Sequence, residues 1–245
     1  MMRSRLLPAS STAVLALVAT GLAASPAAAQ GSTTVGADWG AQSLVFEDGG
    51  GQANDLHVFP MDTGPEVRRV GFTDLVPLVP GEHCTHPDPA DETFVACELP
   101  VDSGRPDDIR IFLGDGEDGV VTSDPGVTVV DGGRGDDELH AHTARLAMGG
   151  EGDDMVMADV VLMGGEGMDH LMGDPTDQVF HGGGGDDMIE AWDGRDIVHG
   201  SSGDDEISGG EGDDLLFGGH GDDVITGGGG RDLVHGGHGN DQVTQ

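Results

Sequence analysis

The sequence predicts an all-β fold in which short strands stack in parallel along a coil, preceded by a β-rich N-terminal region. Glycine supplies 45 of the 245 residues and aromatic residues only 4%, so the side chains of one thick core are scarce. Short β-like runs occupy residues 30–112, and a nine-residue pattern recurs in residues 113–245. A coil needs only a thin core, which fits this composition.

The net charge excludes two classes of partner. Asp and Glu number 46 against ten basic residues, all of them Arg, and the net charge is −36. Nucleic acid and an anionic membrane surface both repel such a chain. Because this much negative charge must be neutralised in a compact fold, we expect divalent cations as partners.

Residues 1–29 have the layout of a signal peptide. Arg3 and Arg5 precede an apolar run at residues 13–24, which is too short to span a bilayer, and three alanines precede Gln30 as a cleavage site. The alternative is a buried N-terminal helix. We expect a secreted, extracellular chain that begins at Gln30 and has no membrane span.

Residues 30–112 predict a β-rich cap with one disulfide. Gly, Pro and Asp separate five β-like runs, at residues 43–47, 56–61, 67–73, 94–99 and 109–113, and no segment has helical periodicity. Repeat folds need such a cap to cover the open end of the coil. In an oxidising compartment Cys84 and Cys97 most simply form a disulfide, whereas the alternative is a metal site with His83 and His86.

No familiar catalytic motif is present in the sequence. It has no H-E-x-x-H helix, no G-x-S-x-G elbow and no phosphate-binding loop. We therefore expect a protein that is not an enzyme, with an uncharacterised activity as the remaining alternative.

Eleven copies of the nine-residue pattern begin at residues 113, 132, 149, 164, 182, 191, 200, 209, 218, 227 and 236. Position four is Gly, position six is Asp and position eight is aliphatic in every copy. Glycines allow a sharp turn with inward carbonyl oxygens, and the Asp adds a carboxylate, so the turn offers the oxygen ligands that Ca²⁺ takes. Positions seven to nine of each copy form a short strand. Two copies make one coil, and an ion needs the turn stacked eighteen residues away.

This pattern, GGxGxDxUx, resembles the RTX or haemolysin-type calcium-binding nonapeptide repeat across residues 113–245. Residues 80–112 resemble, more loosely, a module that precedes such repeats in secreted actinobacterial calcium-binding proteins. The resemblance implies a parallel β-roll whose Ca²⁺ ions lie between stacked turns. The ligands would be the carbonyls of positions two and four and the position-six carboxylates.

Alternate copies belong to opposite edges of the coil. Edge A is a continuous ladder with seven gaps between turns, and edge B has two gaps, where Arg195 and Arg231 at position five should weaken ion binding. The edge A carboxylates are those of Asp118, Asp137, Asp154, Asp169, Asp187, Asp205, Asp223 and Asp241, and the edge B carboxylates are those of Asp196, Asp214 and Asp232. The glycine carbonyls are those of Gly133, Gly135, Gly150, Gly152, Gly165, Gly167, Gly183, Gly185, Gly203, Gly210, Gly212, Gly219, Gly221, Gly228, Gly230, Gly237 and Gly239.

Position seven of the strands that follow edge B forms an apolar outer stripe, which comprises Leu146, Val161, Val179, Ile197, Leu215 and Leu233. If position eight faces the core, this stripe faces outward. It predicts either a docking surface for a protein partner or self-association, or else a face covered by the N-terminal region. The sequence therefore favours a secreted, non-enzymatic calcium-binding protein, with an extracellular adhesion or interaction module as the alternative.

Overall fold

The computed structural model describes residues 32–38, 43–49, 51–63, 67–100 and 107–245. These residues form strands and turns with no helix among them, so the predicted all-β fold is confirmed. None of the described segments is a helix long and apolar enough to cross a membrane. The predicted signal peptide, residues 1–29, lies outside the described residues.

In the described ranges, twenty-three strands form two sheets that face each other across a narrow core. The first sheet holds β1 (Thr34–Asp38), β2 (Ser43–Glu47), β5 (Val79–Pro80), β8 (Asp108–Asp115), β10 (Val127–Arg134), β12 (Leu146–Glu151), β14 (Val161–Glu166), β16 (Val179–Gly184), β18 (Ile197–Ser202), β20 (Leu215–His220) and β22 (Leu233–His238). The second holds β3 (Asp55–Thr63), β4 (Val67–Thr73), β6 (Cys84–Thr85), β7 (Phe94–Pro100), β9 (Gly119–Thr122), β11 (Glu138–Ala141), β13 (Met155–Ala158), β15 (His170–Met172), β17 (Met188–Glu190), β19 (Glu206–Glu211), β21 (Val224–Gly229) and β23 (Gln242–Thr244).

From β8 onward the chain alternates between the two sheets, and each strand pairs in parallel with the strand one coil away. The register places equal repeat positions side by side, as in Val198 beside Leu216 and Ile207 beside Ile225. Position eight therefore forms one apolar ladder in each sheet, fully buried along most of the coil. The ladder of the second sheet runs to Val243, which is 45% exposed.

The N-terminal region shares both sheets with the repeats. β2 pairs in parallel with β8, and β3 pairs in parallel with β9, so two N-terminal strands continue the coil. Antiparallel pairs β1–β2, β3–β4 and β4–β7 then cover its end. The boundary expected at residue 112 falls inside β8.

The predicted disulfide is confirmed. Cys84 in β6 and Cys97 in β7 face each other across an antiparallel pair, and their sulfurs are bonded. Both cysteines are buried. The alternative metal site would need free thiolates, and His86 instead lies with its Nδ1 2.9 Å from the carbonyl oxygen of Phe94.

Candidate metal sites between the turns

The turns at the two edges of the coil depend on glycine at positions two and four. Gly150 and Gly152 have φ angles of +132° and +138°, a region that side chains disfavour. A Cβ on Gly150 would lie 2.0 Å from the carbonyl oxygen of Gly133, and one on Gly152 would lie 2.1 Å from that of Gly135. The carbonyl oxygens of positions two and four therefore point toward the next turn. All seventeen glycines predicted as ligands have positive φ.

The position-six carboxylates form a ladder along each edge. The Oδ1 atom of Asp137 accepts the backbone N–H of Asp118, one turn earlier, at 2.8 Å. The same bond recurs at every step of edge A as far as Asp241, and on edge B through Asp214 to Asp232. Each carboxylate thus lies in the gap between its own turn and the preceding one, where the carbonyls of positions two and four also point.

In nine of the eleven position-six carboxylates, the second oxygen is buried without a partner among the described residues. Within the described part of the chain, no hydrogen bond reaches Oδ2 of Asp118, Asp137, Asp154, Asp169, Asp187, Asp196, Asp205, Asp214 or Asp223. A Cβ on Gly149, at position one, would lie 2.2 Å from Oδ2 of Asp154, so glycine there leaves space for the carboxylate. Burying a charged oxygen without a partner is costly, and a bound cation removes that cost.

Burial raises the pKa of these carboxyls in the ion-free chain. Desolvation is the largest cause, and neighbouring carboxylates of the ladder add to it. The pKa of Asp118, Asp169 and Asp205 rises to about 6. It rises to about 7 for Asp137, Asp154, Asp187 and Asp196. A divalent cation would stabilise the charged forms and reverse this shift.

The donor set fits calcium. In the ranges that the structure describes, no three His, Cys, Asp or Glu side chains converge on one point. Each turn contributes one position-six carboxylate and the backbone carbonyls of positions two and four to the gap. Such all-oxygen sites of carbonyls and carboxylates suit Ca²⁺, which takes six to eight oxygen ligands in flexible geometry.

A second ladder, at position five, was not anticipated from the sequence. On edge A the N–H of Asp153 donates to Oδ1 of Asp136 at 3.0 Å, and that of Asp204 donates to Asp186 at 2.8 Å. These bonds run opposite to those of position six, from the later turn to the earlier carboxylate. The frequent Asp-Asp pair at positions five and six was the sequence signal for it.

Edge B differs from edge A in its upstream turns. Gln178 lies where position six would be, and its N–H donates to Oδ1 of Asp196 at 2.8 Å, as an Asp would. Its side-chain amide donates to the carbonyl of Ala158 at 2.7 Å, so an internal hydrogen bond replaces a carboxylate there. Nearer the N-terminus, Arg68 pairs with Asp124, which is fully buried, and with Asp107. At the N-terminal end of edge B, the Arg68 guanidinium therefore takes the role that a metal cation would have.

The arginines at position five of edge B lie on the outside of the coil. Arg195 is exposed and its guanidinium pairs with Asp177, one turn earlier. Arg231 is exposed, and its backbone N–H donates to Oδ1 of Asp213. Because Asp177 neutralises Arg195, this arginine should weaken Ca²⁺ binding at its own turn less than the sequence predicts.

The family model of the RTX calcium-binding nonapeptide repeat matches four overlapping stretches of the chain, at residues 163–198, 172–207, 193–225 and 221–244. No match was found among curated proteins or among solved structures. The matched stretches run from β14 to β23 and include the three position-six carboxylates of edge B, those of Asp196, Asp214 and Asp232. The C-terminal part of the chain, residues 163–244, is thus a β-roll of RTX nonapeptide repeats, which bind Ca²⁺.

Proposed function

We propose that this is a secreted, non-enzymatic calcium-binding protein whose coil is organised by Ca²⁺ between its stacked turns. The observation that carries this proposal is the row of buried, unpartnered Oδ2 atoms at position six. Each lies in a gap that the carbonyls of positions two and four also face. We assign the predicted aspartates and glycines of both edges as the ligands.

The energetic argument supports calcium as the organiser of the fold. Residues 113–245 hold 31 acidic residues against four Arg, a local net charge of −27. Ordering the backbone costs about 1–2 kcal/mol per residue, and the core gains one aliphatic side chain per nine residues. Ions in the gaps convert repulsion between turns into ligation, so the free energy of binding contributes to folding.

Secretion and the absence of an activity are supported by separate features. The signal-peptide layout of residues 1–29 and the disulfide between Cys84 and Cys97 both fit an oxidising compartment. Extracellular calcium modules bind at roughly 10⁻⁴–10⁻³ M, so the coil would form outside the cell. The sequence contains no H-E-x-x-H helix, no G-x-S-x-G elbow and no phosphate-binding loop.

Circular dichroism of the full chain tests the proposal. We expect little β-structure in chelator, a cooperative rise as Ca²⁺ is added, and little response to Mg²⁺, which prefers a tight octahedron with several waters. A β-spectrum that is unchanged in chelator would show that calcium is accessory and not the organiser.

A second function, as an interaction module, is favoured by the outer face of the first sheet. The predicted stripe is half-buried along its length and opens at Leu233, which is 65% exposed. Beside it, His181, His199, Phe217 and His235 form a ladder of rings, with centroids 6.2, 4.7 and 6.4 Å apart. Solution mass with and without Ca²⁺ separates the two functions, because a docking face should self-associate once the coil forms.

A further inference from the structure

A turn outside the nonapeptide repeats occupies the next place on edge A. It joins β2 to β3, and these strands pair with β8 and β9, the strands on either side of the first repeat turn. The register aligns Asp55 with Gly119 and Leu56 with Val120. Asn54 therefore stands at position six of this turn, directly beneath Asp118.

The backbone of this turn presents the same two carbonyls as a repeat. A Cβ on Gly114 would lie 3.1 Å from the carbonyl oxygen of Asp48, and one on Gly116 would lie 2.9 Å from that of Gln52. In the next gap the corresponding contacts, from Gly133 and Gly135, are 2.0 and 1.5 Å. The two carbonyls thus point into the first gap as those of positions two and four do elsewhere, with more clearance.

The side chains of the first gap leave two buried oxygens without partners. Asp118 accepts the N–H of Asn54 on Oδ1 at 2.6 Å, which places its carboxylate in this gap. Asp118 is 3% exposed and Asn54 is 4% exposed. Among the residues that the structure describes, neither Oδ2 of Asp118 nor Oδ1 of Asn54 has a hydrogen-bond partner.

A second carboxylate lies close to the first gap. The Asp48 carboxylate is buried beside it, with Oδ2 3.6 Å from the Cβ position of Gly114. Thr33 donates to Asp48 Oδ1 at 2.7 Å, and the N–H of Gln52 lies 3.4 Å from Oδ2. Two carboxylates thus lie at the first gap, and among the described residues the side-chain donor to Asp118 is the amide of Asn54, 3.1 Å from Oδ1.

We propose that the first gap binds a calcium ion through the carbonyl oxygens of Asp48 and Gln52, Oδ1 of Asn54 and Oδ2 of Asp118. This site rests on the proposed function and extends it beyond the repeats. Its ligands come from both the N-terminal region and the coil. Calcium therefore fixes the N-terminal strands β2 and β3 onto the first repeat, in addition to stacking the repeats on each other.

The competing arrangement has the Asn54 amide in place of the ion. Its Nδ2 donates to the carbonyl of Gln52 at 3.0 Å and to Asp118, so the amide by itself partly closes the gap. The two arrangements predict opposite effects of changing Asn54. If Asn54 is a ligand, replacing it with Leu removes the ligand oxygen, and replacing it with Asp provides a stronger one. If the Asn54 amide instead takes the place of the ion, removing it opens the gap to a cation.

Native mass spectrometry of the full chain in saturating Ca²⁺ counts the bound ions. We expect Asn54→Leu to bind one ion fewer than wild type, and Asn54→Asp to bind the wild-type number with the first ion held more tightly. The control Ala53→Leu changes an exposed side chain of the same turn that supplies none of the proposed ligands, so its count should equal that of wild type. A wild-type count in Asn54→Leu, or an additional ion in Asn54→Asp, would overturn the proposal.

Hydrogen exchange on the same proteins locates the effect. We expect Ca²⁺ to slow exchange in residues 51–58 of wild type and Ala53→Leu but not of Asn54→Leu, while residues 200–220 respond in all three. If residues 51–58 exchange equally with and without Ca²⁺ in wild type, this site is absent. If residues 200–220 do not respond either, the proposed function itself fails.

Discussion

Position two of the turn is glycine in most copies, but it is Trp192 in one and Ser201 in another. Both residues have positive φ, at 71° and 92°, where L-residues are strained by roughly 1–2 kcal/mol. Trp192 is 53% exposed, so its side chain gains little from burial. The same backbone geometry is thus imposed on residues that disfavour it, which shows that stacking of the turns outweighs local preference.

We expect Trp192→Gly to raise the free energy of unfolding by about 1 kcal/mol in saturating Ca²⁺, because it relieves this strain. Ser201→Gly should act in the same direction. Urea titration measures both. A loss of stability in Trp192→Gly alone would mean that contacts of the indole outweigh the backbone strain.

We expect the reverse substitution, Gly152→Ala, to destabilise the coil by at least about 1–3 kcal/mol, the usual cost of a strained backbone conformation. Its Cβ would also lie 2.1 Å from the Gly135 carbonyl oxygen, which cannot move aside cheaply. The matched control is Gly184→Ala, at position three, whose Cβ would meet the flexible Glu166 carboxylate at 3.2 Å and the Ser202 hydroxyl at 3.6 Å. Equal losses of stability in the two variants would contradict this account.

The strands and the two edges could be predicted from the repeat alone, because strand periodicity and the turn glycines are local features. Contacts made by residues far apart in sequence could not. The turn at Asn54 lacks the motif and aligns with Asp118 only through pairing of β3 with β9. Likewise on edge B, Gln178 stands where a position-six carboxylate would be and bonds to Ala158. Arg68 stands where a cation would be and pairs with Asp124.

The two edges should differ in their sensitivity to loss of a carboxylate. Asp205 is 1% exposed, and its turn is bonded on both sides, to Asp187 and to Asp223. Asp232 is half-buried at the end of the edge B ladder, where it accepts one N–H, from Asp214 at 3.2 Å.

We expect Asp205→Ala to raise the Ca²⁺ concentration at the folding midpoint several-fold more than Asp232→Ala. Loss of a buried charged ligand typically costs about 1.5–3 kcal/mol, and an exposed one less. Calcium titrations followed by circular dichroism measure both midpoints. Equal shifts would mean that each gap contributes independently of its place in the coil.

At the scale of the whole molecule, each coil contacts only its neighbours, as in other solenoids. The N-terminal end is covered by antiparallel strands, whereas β22 and β23 at the other end are largely exposed. Every interior gap places another buried carboxylate next to those already present. The coil without ions is thus limited by electrostatics, and anything that neutralises the ladder should stabilise it.

Protons are one such agent, and the sign of their effect follows from the raised pKa values. The folded, ion-free chain holds protons with pKa about 6 to 7 on its position-six carboxyls, against 3.8 for an unperturbed Asp. Folded molecules therefore bind more protons than unfolded ones between about pH 4 and 7, and stability falls as the pH rises through that window.

In chelator we expect β-structure to increase as the pH is lowered from 8 to 5. In Ca²⁺ we expect the opposite, because ions and protons compete for the same carboxylates, so the calcium midpoint should move to higher concentration below about pH 7. Circular dichroism across pH, with and without Ca²⁺, measures both trends, and Asp137→Asn should reduce both. A chelated chain whose β-content is the same at pH 5 and pH 8 would show that repulsion along the carboxylate ladder does not limit folding.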